Sequence, residues 1–342
     1  MSSKHPLIAG IDIGFSNVKA CFGSHPSNLR SLCLPAGAGP YDALIKRSDG
    51  EVNLSGGERV MLPNGEAWAS LVPHRKLQHH ERVLYEDYFL INEFLALYLG
   101  ALRRIGESRI ADVVIGLPVD QFKLNSGKLR EKMTARLSGE FFTGDSTRVV
   151  VERVTVIPQP MGGYFSALAS GQAGLNPKFE QRVCVIDPGF YSVDAVILDG
   201  TDILDRSSDT VKKATSVILE TVRDRLLAQN HKVSVERLEE ALRAGETQLQ
   251  ISTPPIDLEG HLVAAAKDCS EALRATLGRS MRQDKDGIDV VVLVGGGSRF
   301  FEPTVRSLFP HSRIYCPENP VMANAHGFAV YATTLGSNRA AA

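Results

Sequence analysis

Ile11–Ala20 reads IDIGFSNVKA, and Ile186–Ala195 reads IDPGFYSVDA. The two stretches lie 175 residues apart (187 minus 12) and share Ile, Asp, Gly, Phe, Val and Ala at matching places. Each ends an apolar run, Leu7–Ile13 in the first case and Val183–Ile186 in the second. Each leads at once into another, Val18–Phe22 and Val193–Leu198. An apolar run that breaks at glycine and resumes within a few residues is a β-hairpin signal. A short match can arise by chance, but one that keeps its strand context points to duplication. The sequence therefore predicts one hairpin used twice, once in each of two domains.

Such hairpins suit anion binding. Gly and small polar residues in a tight turn aim backbone N–H groups at a common point, and such nests bind phosphate. Gly14 and Gly189 permit positive φ and close approach of a ligand. Asp12 and Asp187 close the two strands, and carboxylates so placed can hold the waters around Mg²⁺ beside a polyphosphate. Either hairpin alone would pass for an ordinary turn with Asp in it; the pair favours a phosphate clamp. A third element, LVGGGSRF (Leu293–Phe300), follows the apolar run Val290–Val294. Three glycines there let backbone lie against a ligand, and the next residues open a helix. Neither GxGxxG in a dinucleotide unit nor GxxxxGK[ST] occurs, which disfavours a dehydrogenase and a P-loop ATPase.

Outward from these motifs the chain reads as α/β. Tyr88, Ile91, Leu95, Tyr98, Leu102 and Ile105 form one face of a predicted long helix closed by Gly106. Val113–Leu117 and Val149–Ile157 are predicted strands, each ended by proline. Val211, Ala214, Ile218, Val222 and Leu226 fit a helix, Val235–Ala244 another with Ser234 as cap, and Leu262–Leu277 a third. Asn319 and Pro320 have the chemistry of a cap and first residue for the last helix. Strands alternating with helices, twice over, predict parallel sheets covered by helices. The stretch between Pro35 and Pro73, rich in glycine and proline, reads as loops and short strands of a small insertion.

Composition limits the function. The 342 residues suffice for two domains; 43% are hydrophobic, 23% are charged and the net charge is −1. Nothing in that balance drives the chain toward nucleic acid, and Lys and Arg are scattered. No apolar run is long enough to span a bilayer, and the N-terminus lacks the pattern of a signal peptide. A cytoplasmic protein is expected. The five cysteines are widely spread and odd in number, so buried free thiols are expected. His74, His79, His80 and Glu81 read as a solvated run rather than a metal site, Trp68 as core, and the tail from Arg339 as frayed.

In order along nearly the whole chain, the motifs resemble those of the superfold shared by actin, hexokinase and the large heat-shock chaperones. That superfold is a duplicated, ribonuclease H-like α/β architecture of two domains around a nucleotide cleft. Within it the chain resembles the plasmid-segregation actins of the ParM/StbA type. Ile11-Asp12-Ile13-Gly14 with Lys19 looks like the first phosphate loop, and Asp187–Ser192 like the second. Leu293–Ser298 resembles the adenosine loop, and Gly116-Leu117-Pro118 the GLP of ParM-type proteins. Ile157–Tyr164 and Asn324-Ala325-His326-Gly327 resemble the two connecting segments, the second with Ala and Gly for close packing. The IDPGFYS form is similar to that of actin-like proteins from PRTRC-type mobile-element systems.

The resemblance implies domain I over residues 1–157, with an insertion at about 30–85, and domain II over 158–319, with an insertion at about 212–275. The last helix, about 320–337, would pack back near domain I. It implies Mg²⁺ with ATP or ADP as cofactor, Asp12 and Asp187 holding the metal's waters, and Lys19 on the β- and γ-phosphates. Gly14, Phe15, Ser16, Asn17, Gly189, Phe190, Tyr191 and Ser192 would cradle phosphate. Gln159 would orient the attacking water, and Gly295, Gly296, Gly297 and Ser298 would lie along the adenosine. Asp209–Lys213 lacks the glycine that the resemblance places before the helix near the ribose, so the ribose contact stays unassigned, with Lys212 and Lys213 as candidates. The implied function is an ATPase that polymerises into filaments and moves plasmid DNA through a DNA-binding adaptor protein. Phe190 and Tyr191 depart from the small residues of many relatives, which bears on hydrolysis and keeps a non-hydrolysing nucleotide scaffold as an alternative. A small-molecule kinase of the same superfold, with Asp120 as its base, is the other.

Overall fold

The computed structural model describes residues 6–46, 48, 50–78, 88–124, 127–144, 147–176, 181–200, 202–205, 208–212, 214–281 and 287–340. His79, His80, Glu81 and Lys213 lie outside these residues. In chain order the elements begin with β1 (Ile8–Ile13), β2 (Asn17–Gly23), β3 (Arg30–Pro35), β4 (Gly37–Pro40), β5 (Glu58–Met61) and β6 (Ala67–Val72). Then follow α1 (Asn92–Ile105), β7 (Arg109–Leu117), α2 (Val119–Leu124), α3 (Lys128–Leu137), β8 (Gly139–Phe142), β9 (Arg148–Pro158) and α4 (Pro160–Ser170). The next group is β10 (Arg182–Pro188), β11 (Val193–Asp199), β12 (Asp202–Ile203), β13 (Asp209–Val211), α5 (Thr215–Ala228) and α6 (Val235–Arg243). After these come β14 (Gln248–Leu249), β15 (Ile256–Asp257), α7 (Leu258–Ser280), β16 (Val290–Leu293), α8 (Ser298–Leu308), β17 (Arg313–Tyr315) and α9 (Ala323–Ala340).

The chain divides into two units, Met1–Ser170 with Met322–Ala342, and Gly171–Val321. The first unit thus runs past Ile157 and keeps α4, because α4 packs on α9. Its main sheet has the order β3-β2-β1-β7-β9-β8, and the second unit's sheet the order β12-β11-β10-β16-β17, with β13 also on β11. The two share a plan. β1 and β2 are antiparallel and β1 is parallel to β7, with Ile8 opposite Asp112 and Ile11 opposite Ile115. β10 and β11 are antiparallel and β10 is parallel to β16, with Val183 opposite Val290 and Ile186 opposite Leu293. Ile8 to Val183 and Ile11 to Ile186 are again steps of 175 (183 minus 8, 186 minus 11), so the duplication extends from the hairpins to the strands that flank them.

Every residue of β1 is buried, as a central strand covered on both faces requires. Ala9, Ile11 and Ile13 join Val113, Ile115 and Leu117 in a core that includes α1. Ile8 and Val114 point the other way, onto Ala325, Phe328, Ala329 and Ala332 of α9. Gly10 lies on that second face and has no room for a side chain, since a Cβ would press on the backbone of Ala325 and Ala329. In the second unit, Ile186, Ile197 and Leu293 pack with Ile218, Val222, Leu262 and Phe301 from α5, α7 and α8.

Several sequence expectations are corrected by pairing that periodicity does not show. Arg30–Pro35 is a strand of the main sheet, paired along β2, so the insertion begins after Pro35 rather than near residue 30. Its core is the small sheet β4-β6-β5, which packs on α1 and buries Trp68. The long predicted helix starts as a 3₁₀ turn at Tyr88–Leu90 and breaks at the extended Ile91. Tyr88, Phe89 and Phe94 pack ring to ring across that break. Val211 belongs to β13 opposite Val193, and α5 starts only at Thr215. The last helix starts at Ala323; Pro320 lies before it, and its carbonyl accepts the N–H of Gly295 at 2.8 Å. Cys33 and Cys316 are exposed rather than buried, while burial pushes the Cys21 thiol up to about 12.

α4 and α9 touch through backbone. Gly162 faces Asn324, and Gly327 faces Gly162 and Ser166. Beside this contact Ser166 Oγ lies 2.9 Å from His326 Nδ1, and burial lowers the imidazole below its ordinary value. The folded chain therefore resists the proton that the unfolded chain accepts. Stability carried by neutral His326 is full above the ordinary imidazole pKa and is lost as pH falls through the depressed folded value. Urea denaturation of wild type and His326→Gln at pH 7.5 and 5.5 should show the wild type losing more stability on acidification; an equal loss in both would refute the assignment.

Candidate functional site

Each unit carries a hairpin turn with the same closure. Gly14 N–H donates to Asn17 O at 3.1 Å, and Gly189 N–H donates to Ser192 O at 2.8 Å. Phe15 and Phe190, at matching positions, both pack against the core of their own unit. The bulk that marks Phe190 as a departure is thus partly absorbed by the core.

In the first unit, β1 and β2 place Asp12 directly opposite Lys19. Lys19 Nζ lies 2.9 Å from Asp12 Oδ2, and Gln159 Nε2 donates to Asp12 Oδ1 at 3.2 Å. Asp12 is 3% exposed. Gln159 follows β9, and its backbone N–H donates to Leu117 O at 2.7 Å. A Cβ on Gly116 would come 2.9 Å from Gln159 Cα and 2.6 Å from Phe328 Cζ, so Gly116 is what lets Gln159 sit beside Asp12. Lys19 from the same hairpin and Gln159, 147 residues beyond Asp12 in the sequence, thus meet at one buried carboxylate.

In the second unit, Asp187 is buried at the end of β10. Gly295 has φ +85°, and a Cβ there would run into Asp187 Oδ1 and lie 2.7 Å from Pro188 O. Gly297 N–H donates to Pro188 O at 2.8 Å, which lays the glycine run against the hairpin, and Ser298 then opens α8. Between these two tight positions Gly296 faces open space. Gly189 O accepts from Thr215 Oγ1 at 2.8 Å, and Phe190 O from Ser216 N–H at 2.7 Å. The start of α5 therefore holds this loop.

Two further residues belong here. Asp194, 2% exposed, stands opposite Asp187 and accepts from Ser192 Oγ at 2.9 Å and Thr210 Oγ1 at 2.6 Å. Thr215 holds the second loop. Asp194 was visible in the repeat, where it aligns with Lys19; Thr215 carried no signal once the helix was read from Val211. Lys212 is exposed, and Asp120 lies in the first turn of α2, where its Oδ1 accepts the Gln121 N–H at 2.7 Å.

Taken by itself, each unit's hairpin has donor and acceptor chemistry that fits a phosphate group and the water shell of a divalent cation. Asp12 and Asp187 are carboxylates at strand ends beside turns of backbone N–H groups. Asn17 Oδ1 is buried in the first loop with no hydrogen-bond partner, an acceptor left for a ligand or its water. Among the described residues, no group of three or more His, Cys, Asp or Glu side chains gathers as a direct metal cage, so a cation here would complete its shell with water and phosphate.

Comparison with known proteins gives the chain's family and fold. The model of the N-terminal domain of actin-like proteins matches residues 10–162, and that of the C-terminal domain of the archaeal MreB-like actin homologue matches residues 185–307. The chain belongs to the actin-like proteins. The actin-like chain is similar to Ta0583, an archaeal actin homolog solved in complex with ADP, at 16% identity and TM-score 0.74, covering 96% of this chain and 99% of that one. It is similar to ParM of a 15-stranded filament from Clostridium botulinum at 17% identity and TM-score 0.73, with 96% and 99% covered. Actin-like protein Alp7A aligns at 15% identity and TM-score 0.72, with 98% and 97% covered. At these identities the structures establish the shared two-domain actin fold. No curated protein matches the sequence. Among the described residues of this actin-like protein, no helix is long and apolar enough to cross a membrane.

Proposed function

We propose that this chain is an actin-like ATPase in which the phosphate loops of both units serve one Mg·ATP, and that it assembles into filaments in the cytoplasm. The observation that carries the reading is the meeting of Lys19 and Gln159 on Asp12. Lys19 supplies the charge that draws the β- and γ-phosphates, and Asp12 and Asp187 hold water around the cation. The cation, when bound, neutralises charge on the transferring phosphoryl group. Gln159 spends its Nε2 on Asp12, which leaves Oε1 to accept a hydrogen bond from the attacking water and turn its lone pair toward phosphorus. Gly295–Ser298 lie along the adenosine. The fold shared with the ParM of a 15-stranded filament supports assembly into filaments; a DNA-binding adaptor carrying plasmid DNA is the partner that fits a chain of near-neutral charge.

The experiment is pelleting of the purified protein with Mg·ATP, with Mg·ADP and without nucleotide, with phosphate release followed in the same tubes. ATP-dependent pelleting with turnover is expected. ATP bound without pelleting or turnover would replace this reading with the non-hydrolysing scaffold, and phosphate transfer to a sugar acceptor would replace it with the kinase. Gln159→Ala is expected to lower kcat about 10²-fold, as misplacement of a reactant does, with KM for ATP little changed. An unaltered kcat would remove Gln159 from the mechanism.

A further inference from the structure

The first phosphate loop is gripped at three points by the segment between β3 and α1. Ala36 N–H donates to Ser16 O at 3.0 Å. His74 Nε2 lies 3.4 Å from Phe15 O. The Phe15 ring packs on the Tyr88 ring, with centroids 4.6 Å apart. A carbonyl oxygen can only accept, so His74 Nε2 carries the ring proton and donates.

The grip controls amide direction. A trans peptide is planar, so a carbonyl held to one side turns the following N–H to the other. His74 on Phe15 O orients the N–H of Ser16; Ala36 on Ser16 O orients the N–H of Asn17. The second loop is also held through two consecutive carbonyls, Gly189 O and Phe190 O, one residue earlier in the repeat, and there the donors come from Thr215 and Ser216 of α5. In the first unit the insertion supplies the donors, and in each unit one of the two bonds comes from a side chain, His74 in the first and Thr215 in the second.

The backbone that delivers His74 is itself fixed. Leu71, buried, has φ +59°, an unfavourable region for a branched side chain. Strain held in place by its surroundings is a pointer to function. The chain then passes Pro73 into a 3₁₀ turn, His74–Lys76, closed by Lys76 N–H on Pro73 O at 2.9 Å and Leu77 N–H on His74 O at 3.0 Å. Ile45 N–H donates to Lys76 O at 2.9 Å, tying the turn to the insertion. His74 is half-buried, in contrast to the solvated run expected of this stretch.

We propose that His74 is a positioning residue of the first phosphate loop, through which the insertion orients the loop's amides toward a polyphosphate. The ligand rests on the nucleotide reading above; the effect on the loop does not. The test compares His74→Leu, which fills the space without a donor, with His74→Gln, which keeps an N–H of similar reach. Hydrogen exchange of the peptide containing Gly14–Asn17 is followed in the full chain without nucleotide, and Mg·ATP affinity is measured by titration. One hydrogen bond of ordinary net strength predicts about fivefold faster exchange and about fivefold weaker binding in His74→Leu, both largely restored in His74→Gln. Unchanged exchange in His74→Leu would overturn the proposal, whatever nucleotide does. So would faster exchange with no change in affinity, in a wild type that binds Mg·ATP. A wild type that binds no nucleotide would defeat the function proposed above, while the exchange data would still decide the role of His74.

Discussion

Lys19→Met is expected to cost the first unit about 3 kcal/mol of stability and to abolish nucleotide binding, because one contact serves both. Asp12 is 3% exposed and its two oxygens face Lys19 and Gln159. Lys19 is itself 13% exposed, so water offers little substitute for it. Removing the ammonium leaves a buried carboxylate with one neutral donor, and breaking one side of such a pair costs far more than removing both. The double change Asp12→Asn with Lys19→Met should therefore recover most of the lost stability, since neither charge remains to be compensated. It should not recover binding, because in the proposed site Lys19 meets the phosphates and Asp12 the waters of the metal. Urea denaturation and Mg·ATP titration of the three variants separate the two effects. If Lys19→Met unfolds at the wild-type urea concentration, Asp12 is not the buried, dependent charge described here. If the double variant binds Mg·ATP as wild type does, the first hairpin is not a phosphate loop.

How much of this was legible beforehand differs by kind of interaction. The repeat exposed the hairpins because the ligand-facing turn and its two strands are continuous in sequence; Asp12, Gly14, Lys19, Asp187 and Gly189 all lie within ten-residue windows. Gln159 was placed by resemblance alone, since its position depends on Gly116 giving up a side chain more than forty residues away. His74 had no local signal at all. Its spacing to His79 and His80 suggested a surface run, and its partner is a backbone carbonyl, which no residue identity reveals. Thr215 was obscured by a neighbouring strand: Val211 has the helical spacing of α5 but pairs with Val193. Apolar periodicity records that a residue is buried, and several partners can bury the same residue. The resemblance placed β3 in the insertion, although it pairs along β2 in the main sheet, and cap chemistry started the last helix at Pro320, whose carbonyl instead accepts from Gly295.

Gly327→Ala and Gly336→Ala should change stability in opposite directions although both lie in α9. A Cβ on Gly336 meets nothing, so alanine there gains the helix propensity that glycine lacks, about 1 kcal/mol. A Cβ on Gly327 would overlap the Gly162 carbonyl and lie 2.8 Å from Ser166 N. Those are backbone atoms of α4, and they cannot turn aside as a side chain would. Gly162 is equally committed, with Asn324 O 2.6 Å from where its own Cβ would stand. The helices must separate, and overpacking of this kind costs about 1–3 kcal/mol, here toward the upper end because both contact surfaces are main chain. α9 also covers Ile8 and Val114 of the main sheet, so it cannot retreat without uncovering them. The strain then passes to α4, and Gln159 is the residue just before α4. Gly327→Ala should for that reason lower kcat more than it raises KM, even at temperatures where the variant stays folded. Thermal denaturation of both variants, with phosphate release from the folded protein, tests this. Stabilisation by Gly327→Ala would mean that α4 and α9 do not meet through backbone, and would detach Gln159 from the packing that places it on Asp12.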